Sequence, residues 1–295
     1  MSVRVLQFGT TGQLARELIR QAPAHPLELT AVSRQDCDFE DPEKAARIVH
    51  QTKPDLVIIA AAYTAVDAAE ADVESAFQIN SDTPAAIAGM CGANGPALVN
   101  FSTDYVFDGL KGAPYLETDR PEPLGAYGRS KQHAEHLVTS TCPRALVLRT
   151  SWVVSAHGRN FVKTMLRLAG EGRPIRVVDD QFGRPTSAAD LAAFVLSQAP
   201  QLAAAPAGDP RFGLFHFANA GETSWKAFAE AIFEEAYGPE APVVEGIATA
   251  GYPAAAPRPP RGTLDTRKLE TVFGYAPRPW REALAEIVAE LKVTA

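Results

Sequence analysis

Short apolar runs alternate with longer amphipathic segments through the first half of the chain. Strands that are apolar throughout are buried on both faces, as in a parallel sheet covered by helices. The alternation therefore predicts an α/β fold built on a doubly wound parallel sheet. The expected strands are Val3–Phe8, Leu29–Val32, Leu56–Ala61, Ala97–Phe101 and Ala145–Leu148, and the expected helices start near Gln13 and Pro42, with others at Thr83–Cys91 and around Tyr127.

This rhythm breaks near residue 150. Beyond that point the chain contains two proline-rich stretches, Ala204–Pro210 and Pro253–Pro260, which are typical of surface loops. We expect a first domain over residues 1–150 and a smaller, partly helical region over residues 151–295, with some of its segments returning to the first domain.

The bulk composition is that of an ordinary globular protein. The 295 residues are 46% hydrophobic, which supports a sizeable core. A net charge of -7 without any run of Lys or Arg argues against a nucleic-acid partner. The longest uncharged apolar stretch, Leu56 to Val66, is too short to span a bilayer, so we expect no membrane partner.

The cysteines indicate a compartment. Cys37, Cys91 and Cys142 are odd in number, widely separated and without zinc-site spacing. The N-terminal stretch shows no basic leader with a cleavage site. Both features favour a reducing cytoplasm.

A glycine turn stands between the first strand and the first helix. Gly9-Thr-Thr-Gly12-Gln-Leu-Ala15 departs from the dinucleotide fingerprint Gly-x-Gly-x-x-Gly but occupies its place. Glycine lets the backbone approach a pyrophosphate, whose charge then lies on the free N–H groups of the helix start. A turn without any ligand would also need Gly9, so both interpretations stay open here.

The second strand ends in Ser33-Arg34, where an acidic residue usually binds the ribose 2′-hydroxyl of a dinucleotide. An arginine suits a 2′-phosphate instead, which favours NADPH over NADH. The alternative is that Arg34 is a solvated loop charge.

Tyr127 and Lys131 are one helical turn apart, which places a phenol and an ammonium on the same helix face. A nearby ammonium stabilises a phenolate, so the pair is suited to acid-base chemistry beside a cofactor. The same spacing also occurs in helices whose tyrosine only packs on the core.

Several strings of sequence occur together with this pair. Three of them resemble the extended short-chain dehydrogenase/reductase superfamily: Ala60-Ala-Ala-Tyr-Thr-Ala-Val-Asp67, Ser102-Thr-Asp-Tyr-Val-Phe-Asp-Gly109 and Tyr127-Gly-Arg-Ser-Lys131. Three others resemble one family within it, the dTDP-4-dehydrorhamnose reductases: Leu148-Arg-Thr-Ser-Trp-Val153, Val178-Asp-Asp-Gln-Phe-Gly-Arg-Pro-Thr186 and Arg258-Pro-Pro-Arg-Gly-Thr-Leu-Asp265. The resemblance runs from Val3 to about Trp280. It implies a Rossmann-type sheet and a small-molecule nucleotide-sugar substrate.

The resemblance also implies a set of cofactor contacts, with NADPH preferred and NADH as the alternative. The glycine turn would hold the pyrophosphate, the loop after the second strand the adenine, and the loop after the third strand the rest of the cofactor. The implied residues are Gly9, Gly12, Gln13, Leu14, Arg34, Asp38, Phe39, Ala62, Tyr63, Thr64, Tyr127 and Lys131. Asp38 equally fits an acid at a helix start.

Thr103, Tyr127 and Lys131 are the catalytic trio that the resemblance implies. Tyr127 would protonate the carbonyl oxygen as hydride reaches C4 of the sugar, and Thr103 would hydrogen-bond the same oxygen. Lys131 would hold the nicotinamide ribose and lower the pKa of Tyr127. The implied reaction converts dTDP-4-dehydro-β-L-rhamnose to dTDP-β-L-rhamnose.

The implied substrate contacts come from both halves of the chain. Thr103, Asp104 and Trp152 match positions near the sugar. Arg184 and Arg261 stand where cations would meet a sugar-nucleotide diphosphate. Core packing of Trp152 and surface ion pairs of the two arginines are the alternatives.

Some members of this family bind Mg²⁺ at a dimer contact through acidic residues. Glu17 and Asp190 fall near the expected places, but two carboxylates far apart in sequence indicate little. We assign no metal ligands from the sequence and leave Mg²⁺ and a homodimer as open alternatives.

Two other functions fit the same fold. A nucleotide-sugar epimerase or dehydratase would retain its cofactor. A dehydratase would also need an Asp-Glu pair, whereas Ser102-Thr-Asp104 contains one carboxylate. A regulatory subunit resembling that of methionine adenosyltransferase would not require the complete trio that this chain has. The reductase therefore leads, because it uses all of these strings.

Overall fold

Parallel strands and the helices between them form most of the molecule, and the computed structural model describes residues 2–294. The strands, numbered along the chain, are β1 (Val3–Phe8), β2 (Leu27–Val32), β3 (Leu56–Ile59), β4 (Ala97–Thr103), β5 (Ala145–Thr150), β6 (Val153–Val154), β7 (Ile175–Val178), β8 (Phe182–Gly183), β9 (Thr186–Ser187), β10 (Gly213–His216), β11 (Thr223–Ser224) and β12 (Val244–Ile247). The α-helices are α1 (Gln13–Gln21), α2 (Pro42–Thr52), α3 (Val73–Phe77), α4 (Thr83–Cys91), α5 (Ala126–Thr141), α6 (Phe161–Gly170), α7 (Ala188–Ala204), α8 (Trp225–Tyr237), α9 (Arg267–Phe273) and α10 (Trp280–Thr294).

A six-stranded parallel sheet with the order β10-β5-β4-β3-β1-β2 lies at the centre. Its inner strands β3, β4 and β5 are buried along their whole length, as continuously apolar sequences predict. Helices cover both faces, with α1, α7 and α9 packed on one face and α2, α4 and α5 on the other. The predicted doubly wound α/β fold is confirmed.

Two strands extend farther at their carboxyl ends than the sequence predicts. β4 continues beyond Phe101 to Thr103, and β5 continues beyond Leu148 to Thr150. Thr103 and Thr150 are consequently paired at the carboxyl ends of neighbouring strands. Their hydroxyls lie where ligands bind in folds of this type.

Residues after 150 form a second apolar cluster of their own and also return to the sheet. Short strand pairs and the helices α6, α8 and α10 surround Val162, Phe228 and Trp280. In contrast, β10 pairs with β5 at the sheet edge, and α7 packs on α1. No helix within residues 2–294 has the length and apolar character needed to cross a membrane.

Candidate active site

The glycine turn after β1 has a backbone that only glycine adopts without strain. Gly9 has φ 98°, and a Cβ at this position would lie 3.0 Å from the backbone of Ala60. Gly12 then caps α1 without any side-chain hydrogen bond, and the first turn of α1 carries no acidic side chain. The N–H groups at the start of α1 are therefore available to an anion.

A cleft of about 750 Å³ opens at the carboxyl ends of the sheet strands. The glycine turn forms one end, the loops after β2, β3, β4 and β5 form its floor, and α5 and α8 contribute side chains. The structure brings together here these sequence-predicted residues: Gly9, Gly12, Gln13, Leu14, Arg34, Asp38, Phe39, Ala62, Thr64, Thr103, Asp104, Tyr127, Lys131 and Trp152.

Tyr127 is half-buried near the start of α5 and presents its phenol to the cleft. Its ring packs edge-on against Tyr105, with ring centroids 5.8 Å apart. Burial raises the pKa of Tyr127 to about 12; a hydrogen bond with the Thr103 hydroxyl opposes this rise, and the charge of Asp104 adds to it. The phenol is therefore protonated at neutral pH.

Lys131 is buried, and its ammonium donates to the carbonyl oxygen of Phe101 at 3.0 Å. Burial lowers the pKa of Lys131 to about 8, against the opposing charge of Glu135. Desolvation of the phenol is the dominant influence on the pKa of Tyr127 in this structure. The lowering of that pKa by Lys131 stays a prediction.

Thr103 and Asp104 form the centre of the cleft floor. The Thr103 hydroxyl donates to Asp104 Oδ1 at 3.1 Å and accepts from the Tyr105 N–H at 3.2 Å. Burial raises the pKa of Asp104 to about 7, although the Thr103 hydroxyl and nearby backbone N–H groups oppose this rise. Gly262 lies directly against this carboxylate, since a Cβ there would collide with it.

The loop after β2 carries two exposed charges of the cleft. Arg34 and Asp38 form an ion pair of 3.5 Å, and the Arg34 side chain is 78% exposed. Phe39 packs against Phe8, with ring centroids 5.5 Å apart, and so holds the loop on the core. The Arg34 guanidinium is thereby accessible to a ligand in the cleft.

A stack of aromatic rings forms the opposite side of the cleft. Trp152 has φ 45°, an uncommon conformation for a bulky residue, and its ring lies 3.5 Å from that of Trp225 at an interplanar angle of 10°. Gly183 makes room for it, because a Cβ there would lie 2.6 Å from the Trp152 ring. Both indoles are half-buried and line the cleft, so packing and ligand contact are compatible at Trp152.

Three predicted residues lie outside the cleft lining. The Tyr63 hydroxyl donates to Asp72 at 3.3 Å and the Tyr63 N–H donates to Asn80, and neither partner lines the cleft. Arg261 pairs with Glu222 at 3.4 Å. Arg184 is half-buried, and its backbone carbonyl accepts from the Ser151 hydroxyl.

Glu17 and Asp190, which fall near the places expected for Mg²⁺ ligands, are each paired with an arginine. Glu17 is paired with Arg20 at 2.6 Å, and Asp190 with Arg278 at 2.8 Å. Within residues 2–294 no group of three or more His, Cys, Asp and Glu side chains is arranged to hold a metal ion. The described residues therefore give no support for Mg²⁺, and no step below involves it.

Several residues that line the cleft carry no recognisable signal in the sequence. Asn160 and Arg159 reach it from the second half of the chain, and Trp225 from the start of α8. Gln13 explains how the halves meet: its amide donates to the Val153 carbonyl at 3.0 Å and accepts from Asn160 at 2.9 Å. Only the spatial pairing of distant segments reveals these contacts.

The cleft fits a dinucleotide cofactor. Gly9 leaves space that a side chain would fill, and the start of α1 offers free N–H groups to a pyrophosphate. The Thr150 hydroxyl is buried beside Thr103 and has no hydrogen-bond partner within residues 2–294. A buried polar atom of this kind costs free energy unless a ligand or water satisfies it.

Comparisons with known proteins agree with this geometry. A family model described as the RmlD substrate binding domain matches residues 3–293. The dTDP-4-dehydrorhamnose reductase of Sinorhizobium fredii is 40% identical over 290 residues, which are 97% of this chain and 97% of that protein. The dTDP-4-dehydrorhamnose reductase of Burkholderia thailandensis is 41% identical, over 98% of this chain and 99% of that protein.

A solved structure extends the likeness to three dimensions. The dTDP-4-dehydrorhamnose reductase of Bacillus anthracis, crystallised in complex with NADP, superimposes with a TM-score of 0.90 and 32% identity. The match covers 98% of this chain and 100% of that chain. Sequence and fold are thus shared over nearly the full length.

Proposed function

This chain belongs to the dTDP-4-dehydrorhamnose reductase family, and we propose that it converts dTDP-4-dehydro-β-L-rhamnose to dTDP-β-L-rhamnose with NADPH. One observation carries the proposal: Thr103, Tyr127 and Lys131 lie in the same cleft as the glycine turn and its free helix start. A proton donor beside a dinucleotide cradle is what carbonyl reduction requires.

NADPH, when bound, supplies the hydride that reduces the C4 carbonyl of the sugar. Tyr127 delivers the proton to the C4 oxygen, since its pKa of about 12 keeps the phenol protonated at neutral pH. Thr103 donates a hydrogen bond to the same oxygen and so stabilises the negative charge that develops there.

Asp104 controls whether the Thr103 hydroxyl is free to do this. In the structure Thr103 donates its proton to the Asp104 carboxylate. With a pKa of about 7, Asp104 is partly protonated at neutral pH and can then donate to Thr103 instead. That reversal releases the Thr103 proton for the substrate oxygen.

Lys131 and Arg34 bind the cofactor. Lys131 is charged at neutral pH, with a pKa of about 8, and donates to the nicotinamide ribose while Phe101 holds its ammonium in place. Arg34 binds the 2′-phosphate, which gives the preference for NADPH over NADH. Its exposure and its place in the cleft lining support this assignment.

The aromatic side of the cleft takes the sugar. The stacked indoles of Trp152 and Trp225 offer an apolar surface to the deoxysugar, and Asp104 offers it a polar contact. Arg261 precedes Gly262, which touches Asp104, so a nucleotide that extends beyond the sugar passes near Arg261. Arg184 lies near Glu222, the partner of Arg261. Burial lowers the pKa of Arg184, and the charge of Glu222 is among those that oppose this.

The direct test uses the purified protein with NADPH and dTDP-4-dehydrorhamnose, and follows both the absorbance of NADPH and the sugar product. We expect one NADPH to be oxidised for each dTDP-rhamnose formed. A changed sugar without net oxidation would favour an epimerase or dehydratase. Cofactor binding without any sugar product would favour a regulatory subunit.

The cysteines bear on the cellular location of this reaction. Cys37, Cys91 and Cys142 are buried, free thiols, which suits the reducing cytoplasm that we propose as its location. A homodimer stays a prediction, which the mass of the protein in solution would test.

A further inference from the structure

A buried ion pair lies behind Lys131. Glu135 follows Lys131 by one helical turn on α5, and Arg149 lies on β5 with 1% exposure. Arg149 Nε and Nη2 donate to Glu135 Oε1 and Oε2 at 2.8 and 2.6 Å. The Ser102 hydroxyl donates to Oε1 as well, so three hydrogen bonds fix the carboxylate.

These partners form a row across the sheet. Ser102, Arg149 and His216 are register partners on β4, β5 and β10. Burial and the Arg149 charge lower the pKa of His216 to about 3, so His216 is neutral. Its Nδ1 donates to the Asp265 carbonyl at 3.1 Å, while its Nε2 lies 3.4 Å from Arg149 Nη1. Arg149 is therefore the one cation of this row, and its anionic partner Glu135 lies on α5.

Fold stability alone is a weak reason for such a pair. Removing two charges from water is costly, and apolar residues of similar volume often serve as well or better. The arrangement also affects Lys131. Within residues 2–294, Glu135 forms its ion pair with Arg149 and not with Lys131. Arg149 keeps the carboxylate from capturing the ammonium.

We propose that Glu135, fixed by Arg149 and Ser102, is a positioning residue that keeps Lys131 charged while leaving its ammonium free for the ligand in the cleft. The inference rests on the proposed function, in which charged Lys131 binds the nicotinamide ribose. It assigns a task to Glu135 and Arg149, neither of which lines the cleft.

The other charged or titratable groups around Lys131 do not replace Glu135. Tyr127 shares its helix, Asp104 follows β4, and His216 on β10 is neutral. Glu135 is the carboxylate whose charge raises the pKa of Lys131 against the effect of burial.

The direction of the effect follows from this. Lys131 acts in its charged form, so turnover and NADPH affinity fall as pH rises through its pKa. Loss of the negative charge at position 135 lowers that pKa. Glu135→Gln, which keeps the side-chain volume, should therefore shift the alkaline limb of both pH profiles to lower pH by about one unit.

The experiment measures NADPH affinity by fluorescence titration and kcat for the ketosugar between about pH 7 and pH 10. Because Glu135→Gln leaves Arg149 buried and unpaired, a double variant that adds Arg149→Met removes both charges and guards against misfolding. Glu135→Gln should show the full shift, and the double variant, which also loses the Arg149 cation, should show a smaller shift in the same direction. Asp190→Asn is the control, since it removes one carboxylate from the half-buried Arg278 pair on another part of the fold and should leave the limb unmoved.

Two results would overturn the inference. One is an unshifted NADPH-affinity profile in a folded double variant, which would make the pair purely structural. The other is an equal shift in Asp190→Asn, which would make the effect nonspecific. Failure of the proposed function is separate: the wild type would then not reduce the ketosugar, while NADPH affinity would still report on Lys131.

Discussion

The two sides of the cleft are built in different ways. The nucleotide wall, formed by Gly9–Leu14, Ser33–Phe39 and Ala60–Ala62, consists of turns that follow directly from strands of the sheet. The side that we propose for the sugar, here called the sugar wall, is the stack of the Trp152 and Trp225 rings from two distant segments, with Gly183 against the Trp152 ring. Backbone conformation defines the first wall, and side-chain packing defines the second.

This difference predicts which substitutions should weaken cofactor binding and which should weaken sugar binding. A change in the nucleotide wall alters a backbone cradle, so it should weaken cofactor binding and spare the sugar. A change in the sugar wall should do the reverse. Tyr127 lies between the walls and should affect the chemical step itself.

Tyr127→Phe should have the largest effect. It removes the proton donor and keeps the ring, so kcat should fall by about 10²- to 10⁴-fold while NADPH affinity stays nearly constant. Steady-state kinetics with the ketosugar and a fluorescence titration with NADPH provide the measurement. A near-normal kcat would show that Tyr127 is not the proton donor of the reaction.

Gly9→Ala tests the nucleotide wall. The methyl group would sit at φ 98° and 3.0 Å from the Ala60 backbone, so the turn must shift. A strain of about 1–3 kcal/mol corresponds to roughly a ten- to hundredfold loss of NADPH affinity. The KM for the ketosugar, measured at saturating NADPH, should change little.

Gly112→Ala is the matched control for this variant. Gly112 also has a positive φ of 74°, but no atom lies within 4 Å of a Cβ added there. It should lose stability, read as a lower Tm, without losing NADPH affinity. Equal loss of affinity in both variants would contradict a specific role for the glycine turn.

Gly183→Ala tests the sugar wall. A Cβ would lie 2.6 Å from the Trp152 ring, which is held by Trp225 and cannot move freely. Overpacking of about 1–2 kcal/mol should raise the KM for the ketosugar roughly tenfold and leave NADPH affinity unchanged. Gly170→Ala, where a Cβ meets no atom within 4 Å, should change neither quantity.

The contrast between the walls also explains what the sequence could predict. Gly9, Tyr127 and Lys131 could be predicted from the sequence because a turn and a one-turn helix spacing are local features. Trp225 could not be predicted, because its place depends on the stacking of segments that are far apart in sequence.

Small errors in strand ends have a similar cause. The apolar patterns predict the ends of β4 and β5 at Phe101 and Leu148, where the polar residues begin. The hydrogen-bonded register carries both strands on to Thr103 and Thr150. The bond between Glu135 and Arg149 likewise needs a helix and a strand to be packed together before it is visible.

Arg34→Ala should have the smallest effect and sharpens the comparison within the nucleotide wall. Arg34 is an exposed side chain rather than part of the backbone cradle, and screened pairs of this kind contribute little. Its loss should raise the KM for NADPH by about fivefold at most and leave the KM for NADH unchanged, because only NADPH has a 2′-phosphate. Arg47→Ala, which removes an exposed arginine paired with Glu43 on α2, controls for the change in net charge. Equal increases for both cofactors would show that Arg34 acts on the cradle rather than on the phosphate.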